Sequence, residues 1–141
     1  MERRQFLLVA GAPLLCCDVD EVPLSSVSVE GSLVTVDLNR VRWLTKAGSA
    51  AKIVDPAHAL NLVIAHVTKG HYVALHRKCT HGGGPVAYSH KRKSVMCTCW
   101  GHSEFDLQGR VLGGPAKRPL PVFPARLAGR RLEIRLEGEP S

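Results

Sequence analysis

The sequence has no apolar run long enough to cross a membrane, no internal repeat, no low-complexity tract and, after residue 18, no long stretch with helical periodicity. A membrane-spanning helix needs about 20 apolar residues, so no transmembrane span is predicted. With 45% hydrophobic and 22% charged residues, the 141-residue chain has the composition of one globular domain, which excludes disordered and collagenous classes. Acidic residues are scarce: twelve against nineteen Lys and Arg give a net charge of +7, which favours acidic partners.

Residues 1–17 have the architecture of an export signal. A basic start that includes Arg3-Arg4 precedes an apolar run of 12 residues from Phe6 to Cys17, and acidic residues follow. The pair Arg3-Arg4 before Gln5-Phe6-Leu7 resembles a bacterial twin-arginine signal. We therefore expect an exported protein, in the periplasm or on the outer face of the cytoplasmic membrane. A cytoplasmic protein with a buried N-terminal helix is the alternative.

The rest of the chain is predicted to be all-β. Thirteen Gly and nine Pro favour tight turns, and short stretches alternate between apolar and polar residues with the period of half-buried strands. The turns Lys69-Gly70 and Ala128-Gly129-Arg130 predict two hairpins, and Asp55–Ala59 predicts a turn or short helical loop. The predicted strands are 32–38, 60–67, 71–78, 94–99, 121–127 and 131–136.

The clustering of cysteine and histidine indicates a metal site rather than a disulfide scaffold. The five cysteines are Cys16, Cys17, Cys79, Cys97 and Cys99. Cys79-Thr80-His81 and Cys99-Trp100-Gly101-His102 each pair one thiol with one imidazole, with 17 residues between the two motifs. Two thiolates and two imidazoles suit a Rieske 2Fe-2S cluster, in which Cys holds one iron and His the other. A mononuclear zinc site takes the same ligand set and stays open at this point.

The surrounding residues, over about 60–136, resemble the Rieske family. The family pattern appears in Ser103-Glu104-Phe105-Asp106, Gly109-Arg110-Val111, Gly114-Pro115-Ala116 and Pro119-Leu120. The resemblance implies a Rieske domain over 27–137: an antiparallel β structure whose small cluster-binding subdomain, about 76–120, sits at one tip. It also implies four cluster ligands, Cys79 and Cys99 on the inner iron and His81 and His102 on the outer iron. Gly82–Gly84 would bring backbone N–H groups close to the cluster, and Pro115, Pro119 and Pro121 would stiffen a third loop over it.

By the same resemblance, the expected function is one-electron transfer through the cluster. The protein would be a ferredoxin-like carrier or the electron-transfer subunit of a larger oxidoreductase, with no catalytic residues of its own. Its partner would be a redox protein, acidic in view of the net charge, or a large catalytic subunit, and not nucleic acid. The alternatives are the Rieske subunit of a quinol-oxidising cytochrome bc-type complex and, from another class, a zinc-stabilised binding module.

The sequence departs from the family pattern in three places, and two of them, the absent disulfide and the absent tyrosine hydroxyl, predict a reduction potential in the lower half of the Rieske range, about −150 to +300 mV. Gly84 and Gly101 stand where members of quinol-oxidising complexes carry a disulfide. Ser103 follows His102 directly, without the usual intervening Gly, which alters the serine hydrogen bond to the cluster. Phe105 stands where high-potential members have a tyrosine hydroxyl donor.

Three further features have two interpretations each. Cys97 is either a buried thiol or a ligand in place of Cys99. His76, three residues before Cys79, is either a strand-surface residue or a neighbour of the cluster. The basic run His90-Lys91-Arg92-Lys93 is either a solvated loop tip or a docking patch for an acidic partner.

Overall fold

Short strands dominate the computed structural model, which describes residues 19–80, 84–97 and 103–136. The signal-like residues 1–17 lie outside this part of the chain. In the described part the helical turns are three short 3-10 segments, Leu24–Ser26, Arg42–Thr45 and Pro56–His58. The strands are β1 (Asp20–Glu21), β2 (Val27–Glu30), β3 (Leu33–Asp37), β4 (Ala50–Asp55), β5 (Leu60–Thr68), β6 (His71–His76), β7 (Val86–Ser89), β8 (Ser94–Cys97), β9 (Glu104–Asp106), β10 (Val111–Gly113), β11 (Val122–Phe123), β12 (Ala125–Ala128) and β13 (Arg131–Arg135).

The strands form three sheets, and the all-β class is confirmed. One sheet has the order β11-β6-β5-β4-β1, a second β12-β13-β3-β2, and a third β10-β9-β8-β7. All pairs are antiparallel except β1 with β4. Within the described residues no helix is long and apolar enough to cross a membrane.

The five-stranded sheet is buried on both faces, which explains the continuous apolar run in β5. Leu62 and Ile64 belong to one buried cluster, together with residues of the β12-β13-β3-β2 sheet, whereas Val63 belongs to the other. Across the pairing, Ala74 and Leu75 of β6 divide between the clusters in the same way. Because successive side chains of a strand point to opposite faces, this sheet joins the two apolar cores.

Both predicted hairpins are confirmed. β5 and β6 pair across Lys69-Gly70, where Gly70 has a φ of 76°, and β12 pairs with β13 across Gly129-Arg130, where Gly129 has a φ of 63°. Asp55–Ala59 contains the 3-10 segment Pro56–His58, and Asp55 caps it by accepting a hydrogen bond from the Ala57 N–H at 3.1 Å. A short helical loop was expected at this position.

One predicted strand is wrong in extent. The stretch 121–127 is divided into β11 and β12 by Pro124, and the two pieces pair in different sheets. Proline has no N–H to donate to a ladder, so the strand cannot continue through it. Of the predicted strand 94–99, the structure describes Ser94–Cys97.

His66 is a core residue of β5 rather than a surface histidine. It is 4% exposed, its ring stacks on Tyr72 with centroids 4.1 Å apart, and both ring nitrogens have partners. Nδ1 lies 3.0 Å from the Leu44 carbonyl and Nε2 accepts from the Gly70 N–H at 3.2 Å, an arrangement that assigns the proton to Nδ1. The bond to Leu44 attaches the 3-10 segment Arg42–Thr45 to the five-stranded sheet.

Candidate metal centre

The first proposed ligand motif begins at a closed loop neck. After β6, Lys78 pairs with Pro85, the Val86 N–H donates to the Arg77 carbonyl at 2.8 Å, and the Cys79 N–H donates to the Gly84 carbonyl at 2.7 Å. Cys79 is 3% exposed. Residues 81–83, which include His81, lie outside the described residues.

The second motif is framed by strands β8 and β9. The Cys97 N–H donates to the Ser103 carbonyl at 2.8 Å, and Met96 pairs with Glu104 in the next register position. Cys99 and His102 belong to residues 98–102, outside the described part. The ends of this segment are therefore fixed side by side by the sheet.

A third segment, the proline-rich residues 114–121, makes hydrogen bonds to the first motif and to the residue that follows the second. The Thr80 hydroxyl donates to the Arg118 carbonyl at 2.8 Å, and the Ala116 N–H donates to the Ser103 hydroxyl oxygen at 3.1 Å. The His76 N–H also donates to the Pro121 carbonyl at 2.9 Å. The expected third loop thus contacts the necks of both ligand loops.

One apolar cluster lies beneath the two necks. Cys79, Cys97 and Phe105 are all buried in it, and Cys97 and Phe105 have no exposed surface. Ser103 is also fully buried, and its hydroxyl, which accepts from Ala116, can still donate its own proton. The remaining members are Val63, Leu75, Val86, Val95, Ala116 and Leu120.

An open cleft lies beside Cys79. Its walls come from the first neck and the third segment, and His76 shares it with Cys79. The structure therefore places His76 beside Cys79, the one expected ligand that it describes. The other lining residues are Lys78, Thr80, Arg118, Pro119 and Pro121.

The basic run forms the turn between β7 and β8, and part of its charge is used within the chain. Arg92 binds the Glu104 carboxylate through both Nε and Nη2, at 2.9 and 2.8 Å, and the Ser94 hydroxyl donates to the same carboxylate at 2.5 Å. These hydrogen bonds lower the pKa of the Glu104 carboxyl to about 2, and the bond from Arg92 has the larger effect. Lys93 Nζ folds back onto the His90 carbonyl at 3.1 Å.

Comparison with known proteins decides the family. The model of the Rieske [2Fe-2S] domain matches residues 17–124, which contain both Cys-His motifs and the third segment. This chain belongs to the Rieske family. As a Rieske protein it binds a 2Fe-2S cluster and transfers single electrons through it. The zinc-module alternative is thereby set aside.

Three relatives show how far the likeness extends. The Rieske protein is 32% identical, over 132 residues, to a ubiquinol-cytochrome c reductase iron-sulfur subunit of Bradyrhizobium diazoefficiens, covering 83% of this chain and 68% of that one. It is 40% identical over 63 residues to a carotenoid phi-ring synthase of Chlorobaculum tepidum, which is 45% of this chain and 10% of the synthase. The chain thus spans about a tenth of that relative.

The third relative is a solved structure. It is the crystal structure of the cyanobacterial plasma membrane Rieske protein PetC3 from Synechocystis PCC 6803, with a TM-score of 0.50 and 27% identity over 60% of this chain and 83% of that chain. The antiparallel β architecture is therefore that of a Rieske protein.

The described residues fit the cluster as far as they extend. Cys79 supplies a buried sulfur at a cleft, and the ends of the segment that carries Cys99 and His102 are held together by backbone hydrogen bonds. Among the described residues no group of three or more His, Cys, Asp and Glu side chains could hold a metal, and three of the four expected ligands lie outside them. The ligand set stays a prediction.

Asp106, in β9 below the second motif, provides a test of acid stability. Partial burial would raise the pKa of its carboxyl, but hydrogen bonds from Arg110 and from the Gln108 N–H outweigh burial and lower it. A lowered folded-state pKa stabilises the fold above the unfolded pKa, and this contribution is lost as the pH falls. We expect Asp106→Asn to reduce the free energy of unfolding by about 1–2 kcal/mol at neutral pH.

The measurement is urea unfolding of both proteins from neutral to acid pH. The difference should shrink as the pH falls, because the wild-type carboxylate becomes protonated. Arg110→Gln, which leaves the backbone donors at 2.9 Å in place, should cost less than Asp106→Asn. A difference independent of pH would show that the carboxylate charge is not the cause.

Proposed function

We propose that this chain is the electron-transfer component of a larger redox system, and that Cys79, His81, Cys99 and His102 hold its cluster. The observation that carries the proposal is the pair of closed necks, one at Cys79 and one at Cys97–Ser103, both hydrogen-bonded to the same third segment. When bound, the cluster supplies the site that accepts and releases single electrons.

The residues of the chain prepare this site in three ways. Cys79 is 3% exposed and offers its sulfur from the apolar cluster beneath the loops. Thr80 and Ser103 tie the ligand loops to the third segment, so that the spacing between the loops is set by protein rather than by the cluster alone. Ser103 also retains a hydroxyl proton to donate.

A second candidate is the Rieske subunit of a quinol-oxidising cytochrome bc-type complex. It is favoured by the Bradyrhizobium diazoefficiens relative, which bears that role in its name. Gly84 and Gly101, in place of the disulfide expected from such subunits, favour a separate carrier or a different oxidoreductase. We propose an exported location on either candidate, supported by the signal-like residues 1–17 and by a structural relative described as a plasma membrane protein.

Metal and sulfide analysis tests the proposal together with a spectrum. Purified protein should contain about two iron atoms and two acid-labile sulfides per chain, and after reduction it should give a Rieske electron paramagnetic resonance signal. Zinc without sulfide would refute it. Ubiquinol:cytochrome c reductase activity of membranes that lack this chain distinguishes the two candidates, because only a bc-type subunit is required for that activity.

A further inference from the structure

Positive charge is concentrated around the proposed cluster site. Residues 76–120 contain eight Lys or Arg and only two carboxylates. This stretch therefore carries most of the chain's net charge of +7. Both carboxylates are already neutralised, Glu104 by Arg92 at 2.8 Å and Asp106 by Arg110 at 2.7 Å. The remaining cations of this region therefore set its surface potential.

The basic run is not the strongest part of this surface. Arg92 is held by Glu104, and Lys93 donates to the His90 carbonyl, so two of its three cations have internal partners. The run also lies at the turn between β7 and β8. Its His90 ring packs against Gly48, with Cδ2 of the ring 3.2 Å from the position that a Cβ on Gly48 would take. Gly48 follows the 3-10 segment Arg42–Thr45 and donates its N–H to the His66 carbonyl at 2.7 Å.

A second basic surface lies beside Cys79. Lys78 and Arg118 line the same cleft as the cysteine, and Lys117 precedes Arg118 in the third segment. All three are exposed, and within the described part of the chain their side chains make no hydrogen bond or ion pair. The bond from Thr80 to the Arg118 carbonyl fixes the two rims of the cleft relative to each other.

We propose that Lys78, Lys117 and Arg118, here called the cleft face, dock the acidic surface of a redox partner protein. This inference rests on the proposed electron-transfer function and names the place where the electron leaves or enters. Unpaired cations raise the local concentration of an anionic partner and orient it before contact. Because Lys78 and Arg118 line the cleft at Cys79 and Lys117 is next to Arg118 in the chain, a partner steered to these cations arrives next to the proposed ligand loop.

Lys78 and Arg118 line an open cleft together with Pro119 and Pro121, and an open cleft suits contact with a protein surface better than enclosure of a small anion. Residues 76–120 carry an excess of positive charge, and the negative surface of an acidic partner would complement it.

The test compares two double variants that each remove two positive charges. Lys78→Gln with Arg118→Gln alters the cleft face, and Lys91→Gln with Lys93→Gln alters the basic run. The probe is an acidic plastocyanin, and a basic cytochrome c serves as the probe of opposite sign. Each productive encounter moves one electron from the reduced Rieske protein to the acceptor, which oxidises the one and reduces the other.

Two readouts are needed. At low ionic strength we expect the cleft-face variant to raise the dissociation constant for oxidised plastocyanin about tenfold, measured by calorimetry, and to slow the bimolecular electron-transfer rate to a similar degree. The basic-run variant should change both by less than about twofold, and salt should erase the difference between variants. With cytochrome c the cleft-face variant should not be slower than wild type.

Several outcomes would overturn the proposal. Equal losses in both variants would mean that only net charge matters, and no loss in the cleft-face variant would exclude this surface. Weaker binding to vesicles containing phosphatidylserine, with unchanged plastocyanin binding, would make the cleft face a membrane contact instead. An unchanged paramagnetic resonance spectrum and reduction potential must accompany the variants. Failure of the proposed function appears separately, as absence of the cluster signal in the wild type.

Discussion

Replacing Cys79, His81, Cys99 or His102 by alanine, one at a time, should abolish the reduced Rieske signal and remove iron and sulfide from the purified protein. Each iron of a Rieske cluster has only two protein ligands, so loss of one leaves it open to solvent and to exchange. The effect should be complete rather than partial. Electron paramagnetic resonance and iron analysis on the same sample measure it.

Cys97 provides the matched control. It is fully buried in β8, and its N–H bond to Ser103 does not depend on its side chain. Cys97→Ala keeps the position small and apolar, so the signal should persist, at a stability cost no greater than that of other small core truncations, about 1–2 kcal/mol. Loss of the signal in Cys97→Ala and its survival in Cys99→Ala would exchange the roles of these two cysteines.

The strands that the sequence predicts correctly are those with long alternating or wholly apolar patterns. β5 and β6 are adjacent in sequence and pair with each other across a turn in which Gly70 has a positive φ. Alternation also predicts β3 and β13, although these strands pair with each other across almost a hundred residues. A local pattern is enough when a strand is long enough to show its period.

Shorter strands escape that reasoning. β9 and β10 have three residues each, less than two full alternations, and their pairing includes an irregularity between Glu104 and Phe105. β4 is Ala50–Asp55, where Lys52 stands between apolar residues. These six residues do not alternate regularly between apolar and polar, so the sequence does not predict a strand there. These strands are fixed by pairing with their neighbours, β9 with β8 and β10 and β4 with β5, and not by a preference visible in their own residues.

The candidate site shows the same division. The ligand types and spacings are visible in the sequence because the chemistry requires them. The contacts that assemble the loops are not visible: Thr80 reaches Arg118 across 38 residues, and Ser103 meets Ala116 across 13. Both are ordinary hydrogen-bonding residues whose partners only the fold determines. His66 is a further example, since a lone histidine in a strand says nothing of its two buried acceptor and donor partners.

Gly109 is the residue outside the ligand motifs whose replacement should do the most damage. It has a φ of +84°, and a Cβ placed on it would lie 2.1 Å from the Leu120 carbonyl oxygen and 2.8 Å from Val122 Cγ2. The Leu120 N–H also donates to the Gly109 carbonyl at 2.7 Å. The third segment therefore passes directly over this glycine, in a space that no side chain can share.

Gly109→Ala adds a steric clash with backbone to the strain of a left-handed residue, whereas Gly70→Ala adds only the strain. Gly70 has a φ of +76° and nothing within 4 Å of its Cβ position, so its replacement should cost about 1–2 kcal/mol, or a melting temperature lower by about 5 °C. Gly109→Ala must push Leu120 away and displace the segment bonded to Thr80 and Ser103. We expect a loss of about 4 kcal/mol or more, with reduced cluster content. Circular dichroism melting with iron analysis measures both, and equal shifts for the two variants would show that the third segment yields without cost.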